Sequence, residues 1–160
     1  MILFFDIDAT LSDIATRASV AGAEPDRNDK AAYQNWLDRL QSHASLLEDD
    51  TIPTICELAS TMHDAGHKLY YLTGRAEQFR LATERWLSKN GLPDAPVIHR
   101  DNDDWRAPGP YKVEHILKIQ AANPGQHILV LDDDPDDSLR AELEKHGIVL
   151  AKIFSHTGER

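Results

Sequence analysis

Residues 1–10 read MILFFDIDAT. An apolar run, Met1 to Phe5, stops abruptly at two aspartates one residue apart, Asp6 and Asp8. Neighbouring carboxylates repel, so such a pair is either solvated in a loop or set against something cationic. The run itself has the length and composition of a buried strand. The two carboxylates then stand at the carboxyl end of that strand, and what else the chain delivers there decides their meaning.

Four more short apolar runs read as strands: Lys68–Leu72, Pro96–His99, His127–Leu131 and Ile148–Phe154. Helical stripes lie between them. Tyr33, Trp36, Leu37 and Leu40 follow the i, i+3, i+4, i+7 spacing, and so do Ile55, Leu58, Ala59 and Met62. Phe79, Ala82, Trp86 and Leu87 form a third stripe; Val113, Ile116 and Leu117, then Leu139 and Leu143, mark two more. Pro53 suits a first helical turn, and Gly66, Gly91 and Gly147 suit helix C-terminal caps. Asp136 and Asp137 suit the capping of the last helix. Alternation of this kind predicts an α/β domain whose largely parallel sheet is covered on both faces.

Ligands of such sheets bind beyond the carboxyl ends of the strands. After the first strand come Asp6, Asp8 and Thr10; after the second, a Thr73-Gly74-Arg75 turn; after the fourth, Asp132, Asp133 and Asp134. Three strand ends thus converge on one edge, which argues against a merely solvated opening pair. Carboxylates facing each other across adjacent strands make an oxygen-rich site for a hard cation such as Mg²⁺. A phosphoryl group docked beside it would meet Asp6 as nucleophile, forming an aspartyl-phosphate, with Asp8 as acid and then base. Thr73 and the amides beside it, Gly74 included, suit the phosphoryl oxygens. Lys112, near the start of a helix before the fourth strand, suits the remaining negative charge.

The composition sets limits on this chemistry. With 160 residues, 41% hydrophobic and 28% charged, the chain is the size of one globular domain. No apolar run approaches the ~20 residues that cross a bilayer, and MILFF lacks the basic flank and length of a signal peptide. A single cysteine leaves no disulfide framework, so a cytoplasmic setting is expected. The net charge of −10 argues against a protein that coats nucleic acid. It does not exclude grasping one terminal phosphate.

DIDAT, then YLTGR, then Lys112, then LVLDDD resembles the four-motif signature of the haloacid dehalogenase (HAD) superfamily. The resemblance implies a Rossmann-like three-layer sandwich with strand order 5-4-1-2-3. It implies Asp6 as nucleophile, Asp8 as general acid/base and, through its carbonyl, metal ligand, Thr73 as phosphate binder and Lys112 as charge anchor. Asp132 or Asp133 would complete the Mg²⁺ site. Family members with an acid at Asp8 act on phosphate esters, whose alkoxide leaving group wants a proton. Ala9 departs from the pattern, because glycine is common there.

The family's specificity usually resides in inserted caps. Here a single domain over 1–160 is expected, with a small helical insertion at about 13–50 that holds one helix around Asp29–Ser42, a minimal lid. So open a site suits a bulky substrate. RDNDDWRAPGPYK, with Arg100, Asp104, Arg106 and Lys112, and Arg17 eleven residues after Asp6, is similar to the 3′-phosphatase domain of phage-type polynucleotide kinase-phosphatases. That likeness implies substrate contacts by Arg17, Gly74, Arg75, Arg100 and Arg106, and a 3′-phosphorylated DNA or RNA end as substrate. Relatives commonly have an aspartate where Pro108 stands. Arg100 and Arg106 also suit surface ion pairs with neighbouring aspartates, and Trp105 suits a loop residue covering the core. A small-molecule phosphatase or nucleotidase is the alternative enzyme, and a degenerate HAD-fold binding module the non-enzyme alternative. A response-regulator receiver is disfavoured, because Lys112 precedes the second acidic cluster.

Overall fold

A computed structural model describes residues 1–135 and 137–154. Its centre is the opening run. Strand β1 (Ile2–Phe5) is wholly buried and pairs in parallel with β4 (Lys68–Ala76) on one side and β6 (Ile128–Asp132) on the other. Strand β5 (Val97–Arg100) flanks β4 and β7 (Val149–Lys152) flanks β6, both in parallel. The sheet order is β5-β4-β1-β6-β7. Counted among these five strands alone, that is the expected 5-4-1-2-3.

The two faces explain why β1 reads as a continuous apolar run rather than an alternating one. Ile2 and Phe4 pack on one face with Tyr111, Val113 and Ile116 of α6 (Pro108–Ala122) and with Leu139 and Leu143 of α7 (Ser138–Glu144). Leu3 and Phe5 pack on the other with Ala59 of α4 (Pro53–Asp64) and with Trp86 and Leu87 of α5 (Arg80–Lys89). Successive residues of one strand therefore feed opposite cores, which makes the three layers.

Five details differ from the sequence expectation. The stretch after β1 holds three helices, not one: α1 (Ala15–Ala21), α2 (Lys30–Leu40) and α3 (His43–Glu48). Helix α1 buries only Arg17 and Ala21, so it has no apolar stripe to read; α3 is too short for a period to show. A two-stranded antiparallel ribbon, β2 (Ser12–Asp13) with β3 (Asp50–Thr51), closes the base of this stretch. The second strand does not end at Leu72. β4 runs on to Ala76, and its pairing slips from Leu72↔Ile98 to Ala76↔Arg100, so Thr73, Gly74 and Arg75 together oppose His99. Such an irregularity re-aims side chains at a strand end.

The cap of α7 differs too. The amides of Leu139 and Arg140 donate to the carboxylate of Asp134 at 3.1 and 2.9 Å. Asp137 makes no side-chain cap bond, and Asp136 lies outside the described residues. Trp105 is 47% exposed and does not cover the core. No helix among the described residues is long and apolar enough to cross a membrane.

Candidate active site

The chain leaves β1 toward β4 and later returns to β6 on the opposite side, so the carboxyl ends of these three strands flank the crevice of the sheet. Asp6 follows β1, and its amide still pairs with Leu131 O of β6 at 2.9 Å. Asp132 ends β6. Between them Lys112, from the second turn of α6, donates to Asp6 Oδ1 at 2.8 Å and to Asp132 Oδ2 at 2.6 Å. All three side chains are nearly inaccessible. Burial raises the Asp6 carboxyl well above the carboxylate range, and Lys112 opposes that rise. Lysine loses by burial as well, but Asp132 and Asp6 outweigh the loss and hold its ammonium charged.

Carboxylate oxygens of Asp6, Asp132 and Asp133 lie within 4.8 Å of one another. Oxygen-only donors so spaced fit a hard divalent cation such as Mg²⁺. The oxygens of Asp132 are both engaged, Oδ2 by Lys112 and Oδ1 by the Asp134 amide at 3.0 Å. Asp133 is different: burial, then the neighbouring Asp132, push its carboxyl up to about 6. A carboxyl held up by nearby negative charge is relieved by a cation.

Asp8 meets cations of its own. Its Oδ1 accepts from Arg75 Nη2 at 2.6 Å, from Arg75 Nε at 3.0 Å and from Arg17 Nη2. Burial pushes this carboxyl up, but the two guanidinium groups outweigh it and leave Asp8 well below the usual carboxylate range. Arg17 and Arg75 are 3% and 0% exposed. Both also reach Asp49, Arg17 Nε at 2.9 and 2.8 Å and Arg75 Nη2 at 3.4 Å. The two arginines, predicted as substrate contacts, are thus engaged with carboxylates in the fold's interior. Asp49 had no sequence signal. It sits in the acidic run Glu48-Asp49-Asp50, whose outer members are exposed, and only its tertiary partners distinguish it.

Thr73 is fully buried, and its Oγ1 accepts from the Arg75 amide at 3.1 Å. Gly74 follows, with Arg100 Nη2 3.6 Å from where a Cβ would stand. Arg100 ends β5, is 8% exposed, and lies over the Tyr111 ring at 5.6 Å. It makes no hydrogen bond or ion pair among the described residues, and its Nε is buried without a partner. Burial pulls its pKa below the ordinary value. Arg106 is the opposite case. It is exposed and tied to Asp104 at 2.6 Å and to Glu114 at 2.8 Å, the surface ion-pair arrangement.

An aspartate at the end of the central strand, a buried lysine joining it to an acidic pair, and a threonine on the neighbouring strand are set at the carboxyl edge of the sheet. The family model described as HAD superfamily, subfamily IIIB (acid phosphatase) matches residues 1–151. The chain belongs to the HAD superfamily. No curated protein matches this HAD chain in sequence. Among solved structures it is similar to a chain of the Pnkp1/Rnl/Hen1 RNA repair complex, at 19% identity and a TM-score of 0.68 over 95% of this chain and 42% of that one. A Clostridium difficile protein described as a phosphatase by resemblance aligns over 99% of this chain and 86% of that one, at 13% identity and a TM-score of 0.65. The class C acid phosphatase of Bacillus anthracis, with tungstate bound, aligns over 98% and 67%, at 17% identity and a TM-score of 0.59. At these identities the likeness is one of fold. The HAD chain spans less than half of the chain it resembles in the Pnkp1/Rnl/Hen1 complex.

Proposed function

We propose that this HAD domain is a Mg²⁺-dependent phosphomonoesterase that removes the 3′-phosphate from nucleic-acid ends. The observation that carries the phosphatase reading is Lys112 bridging Asp6 and Asp132 beside Asp133. Asp6 attacks phosphorus, a new P–O bond forms, and the bond to the leaving alcohol breaks. Asp8 gives its proton to that alcohol oxygen. Water then attacks the aspartyl-phosphate, its proton passes to Asp8, and phosphate leaves with Asp6 restored. The sum is ester plus water to alcohol plus phosphate. Asp6, Asp133, Asp132 and the Asp8 carbonyl would hold Mg²⁺, which supplies charge neutralisation for the phosphoryl oxygens.

Lys112 keeps Asp6 oriented and offsets local negative charge throughout. Thr73 and the Gly74 amide suit the phosphoryl oxygens. Asp8, ionised at rest, is ready as the base of the second step and must gain a proton before the first. With one cysteine in the chain, a reducing cytoplasmic setting suits the enzyme.

Arg100 supports the 3′-end substrate. A buried guanidinium without an anion, next to Thr73-Gly74, is a cost unless the substrate supplies the missing charge. The RNA-repair complex among the structural neighbours agrees with such a substrate. A second reading, a phosphatase of small monophosphates, is favoured by one observation. Arg17 and Arg75 are engaged with Asp8 and Asp49, and Arg106 with Asp104 and Glu114, which leaves few cations for a strand.

The deciding experiment is phosphate release, with Mg²⁺ and with EDTA, from four substrates: a 3′-phosphorylated oligonucleotide, its 5′-phosphorylated counterpart, a nucleoside monophosphate and an aryl phosphate. Preference for the 3′-end, lost in EDTA, is the expected result. Preference for the mononucleotide would move the enzyme to the second reading. Absence of release from all four would remove the phosphatase reading altogether.

A further inference from the structure

We propose that Asp49 is a positioning residue for Asp8, acting through Arg17 and Arg75, and that it sets how well the site expels a poor leaving group. The inference rests on the reading of Asp8 as the proton donor to that group.

The geometry is a chain of contacts running from the core to the reacting edge. The Asp49 backbone is fixed first: Trp86 Nε1 donates to its carbonyl at 2.8 Å, and Trp86 is completely buried in the helix layer. Ribbon pairing holds the next residues, with Asp50 opposite Asp13 and Thr51 opposite Ser12. From this fixed point the carboxylate takes Arg17 Nε on both oxygens, at 2.9 and 2.8 Å, and reaches Arg75 Nη2 at 3.4 Å. Ser12 Oγ adds a contact at 3.3 Å. The Leu40 carbonyl takes Arg17 Nη1 at 3.1 Å, and Thr83 Oγ1 takes Arg75 Nη1 at 3.4 Å.

What remains of each guanidinium is turned on Asp8. Every hydrogen bond to that carboxylate falls on Oδ1, from Arg17, Arg75 and, at 3.5 Å, Ser12. Oδ2 has no partner among the described residues, and the side chain is 23% exposed. One oxygen is clamped, and the other is left to exchange a proton with the substrate.

Charge explains why the fourth member is needed. Asp8 with two arginines is a buried cluster of net positive charge, which a phosphate dianion would compete for. Either guanidinium swinging toward the phosphate would release Asp8 from its orientation. Asp49 brings the cluster to neutrality, takes the Arg17 nitrogen that does not touch Asp8, and shares Arg75 Nη2 with it. Its role is therefore orientation, without contact to the substrate.

The test compares Asp49→Asn with the unsubstituted protein on two esters: glycerol 2-phosphate, whose alkoxide needs a proton, and 2,4-dinitrophenyl phosphate, whose phenolate does not. On kcat/KM, which reads the steps through alcohol release and not the later hydrolysis of the aspartyl-phosphate, the alkyl ester should lose at least about tenfold more than the aryl ester. In an Asp8→Asn background, adding Asp49→Asn should change aryl-ester kcat less than about twofold, since the residues act as one unit. Equal losses on both esters, or loss on neither, would overturn the inference, because a role in folding alone cannot discriminate leaving groups. If Asp49→Asn does not fold, Arg17→Lys is the second variant. It keeps the charge but loses the forked donors by which Arg17 takes both oxygens of Asp49 through Nε and Asp8 through Nη2, and it must show the same discrimination. Lack of turnover by the unsubstituted protein on both esters and on the four substrates above would refute the phosphatase reading, a result distinct from non-discriminating loss.

Discussion

Lys112 and Asp6 stand 106 positions apart in the chain and 2.8 Å apart in the fold, joined by one hydrogen bond between two buried side chains. The same ammonium holds Asp132, so a single cation orders two carboxylates from two strands. Lys112→Met should lower kcat by roughly 10²–10³-fold on any phosphomonoester, the scale of losing one preorganised electrostatic contact. Steady-state phosphate release measures it. A loss below about fivefold would mean that Asp6 is not the attacking group.

Arg17 and Arg100 were expected to act alike, and the fold separates them. Arg17→Ala leaves Asp49 and Asp8 buried with half their partners, so it should lower turnover of every ester. It should also destabilise the fold by about 3 kcal/mol, or roughly 6–12 °C in Tm for a domain of this size. Arg100→Ala removes a guanidinium that has no anionic partner among the described residues. Its loss on a 3′-phosphorylated oligonucleotide should exceed its loss on an aryl phosphate at least about tenfold, with Tm unchanged or raised. Kinetics on the two substrates and thermal melts separate the cases; equal losses would return Arg100 to a structural role.

Burial and Asp132 hold the Asp133 carboxyl up to about 6 in the metal-free protein. Mg²⁺ takes the ionised form, so binding must displace the proton whenever pH lies below that value. The Mg²⁺ Kd should be flat above about pH 7 and weaken toward tenfold per unit as pH falls below 6. Titration calorimetry reads this directly. In Asp133→Asn the affinity should drop and its dependence between pH 5 and 7 should flatten; an unaltered profile would show that Asp133 is not a ligand.

Ala9 has φ +61°, in the left-handed region where a Cβ is unfavourable. It lies in the tight turn whose amides return to the Ile7 carbonyl, directly after Asp8. Ala9→Gly should relieve that strain against a larger entropy loss, a net gain of roughly 0.5–1 kcal/mol or about 1–4 °C in Tm. A fall in Tm would mean that the Ala9 methyl, 6% exposed, stabilises by packing more than the backbone loses.

The sequence by itself determined which residues gather at the carboxyl edge of the sheet, though not that β4 runs on through Thr73 to Ala76. Asp6, Asp8, Thr73, Asp132 and Asp133 all follow apolar runs that can only be buried strands, and a parallel sheet gathers such ends on one edge whatever the intervening chain does. The sequence order of the four motifs was enough to place Lys112 with them. Tertiary structure alone decided which charges neutralise each other. Arg17 lies on a helix with no apolar stripe and Asp49 in an acidic run that reads as solvated, so local pattern gives no sign of either one's burial. Arginine's long side chain can reach outward to a substrate or inward to a carboxylate. The choice depends on whether another chain segment, far off in sequence, brings an anion within about 3 Å. For Arg17 and Arg75 it does, through Asp49 and Asp8; for Arg100, among the described residues, it does not.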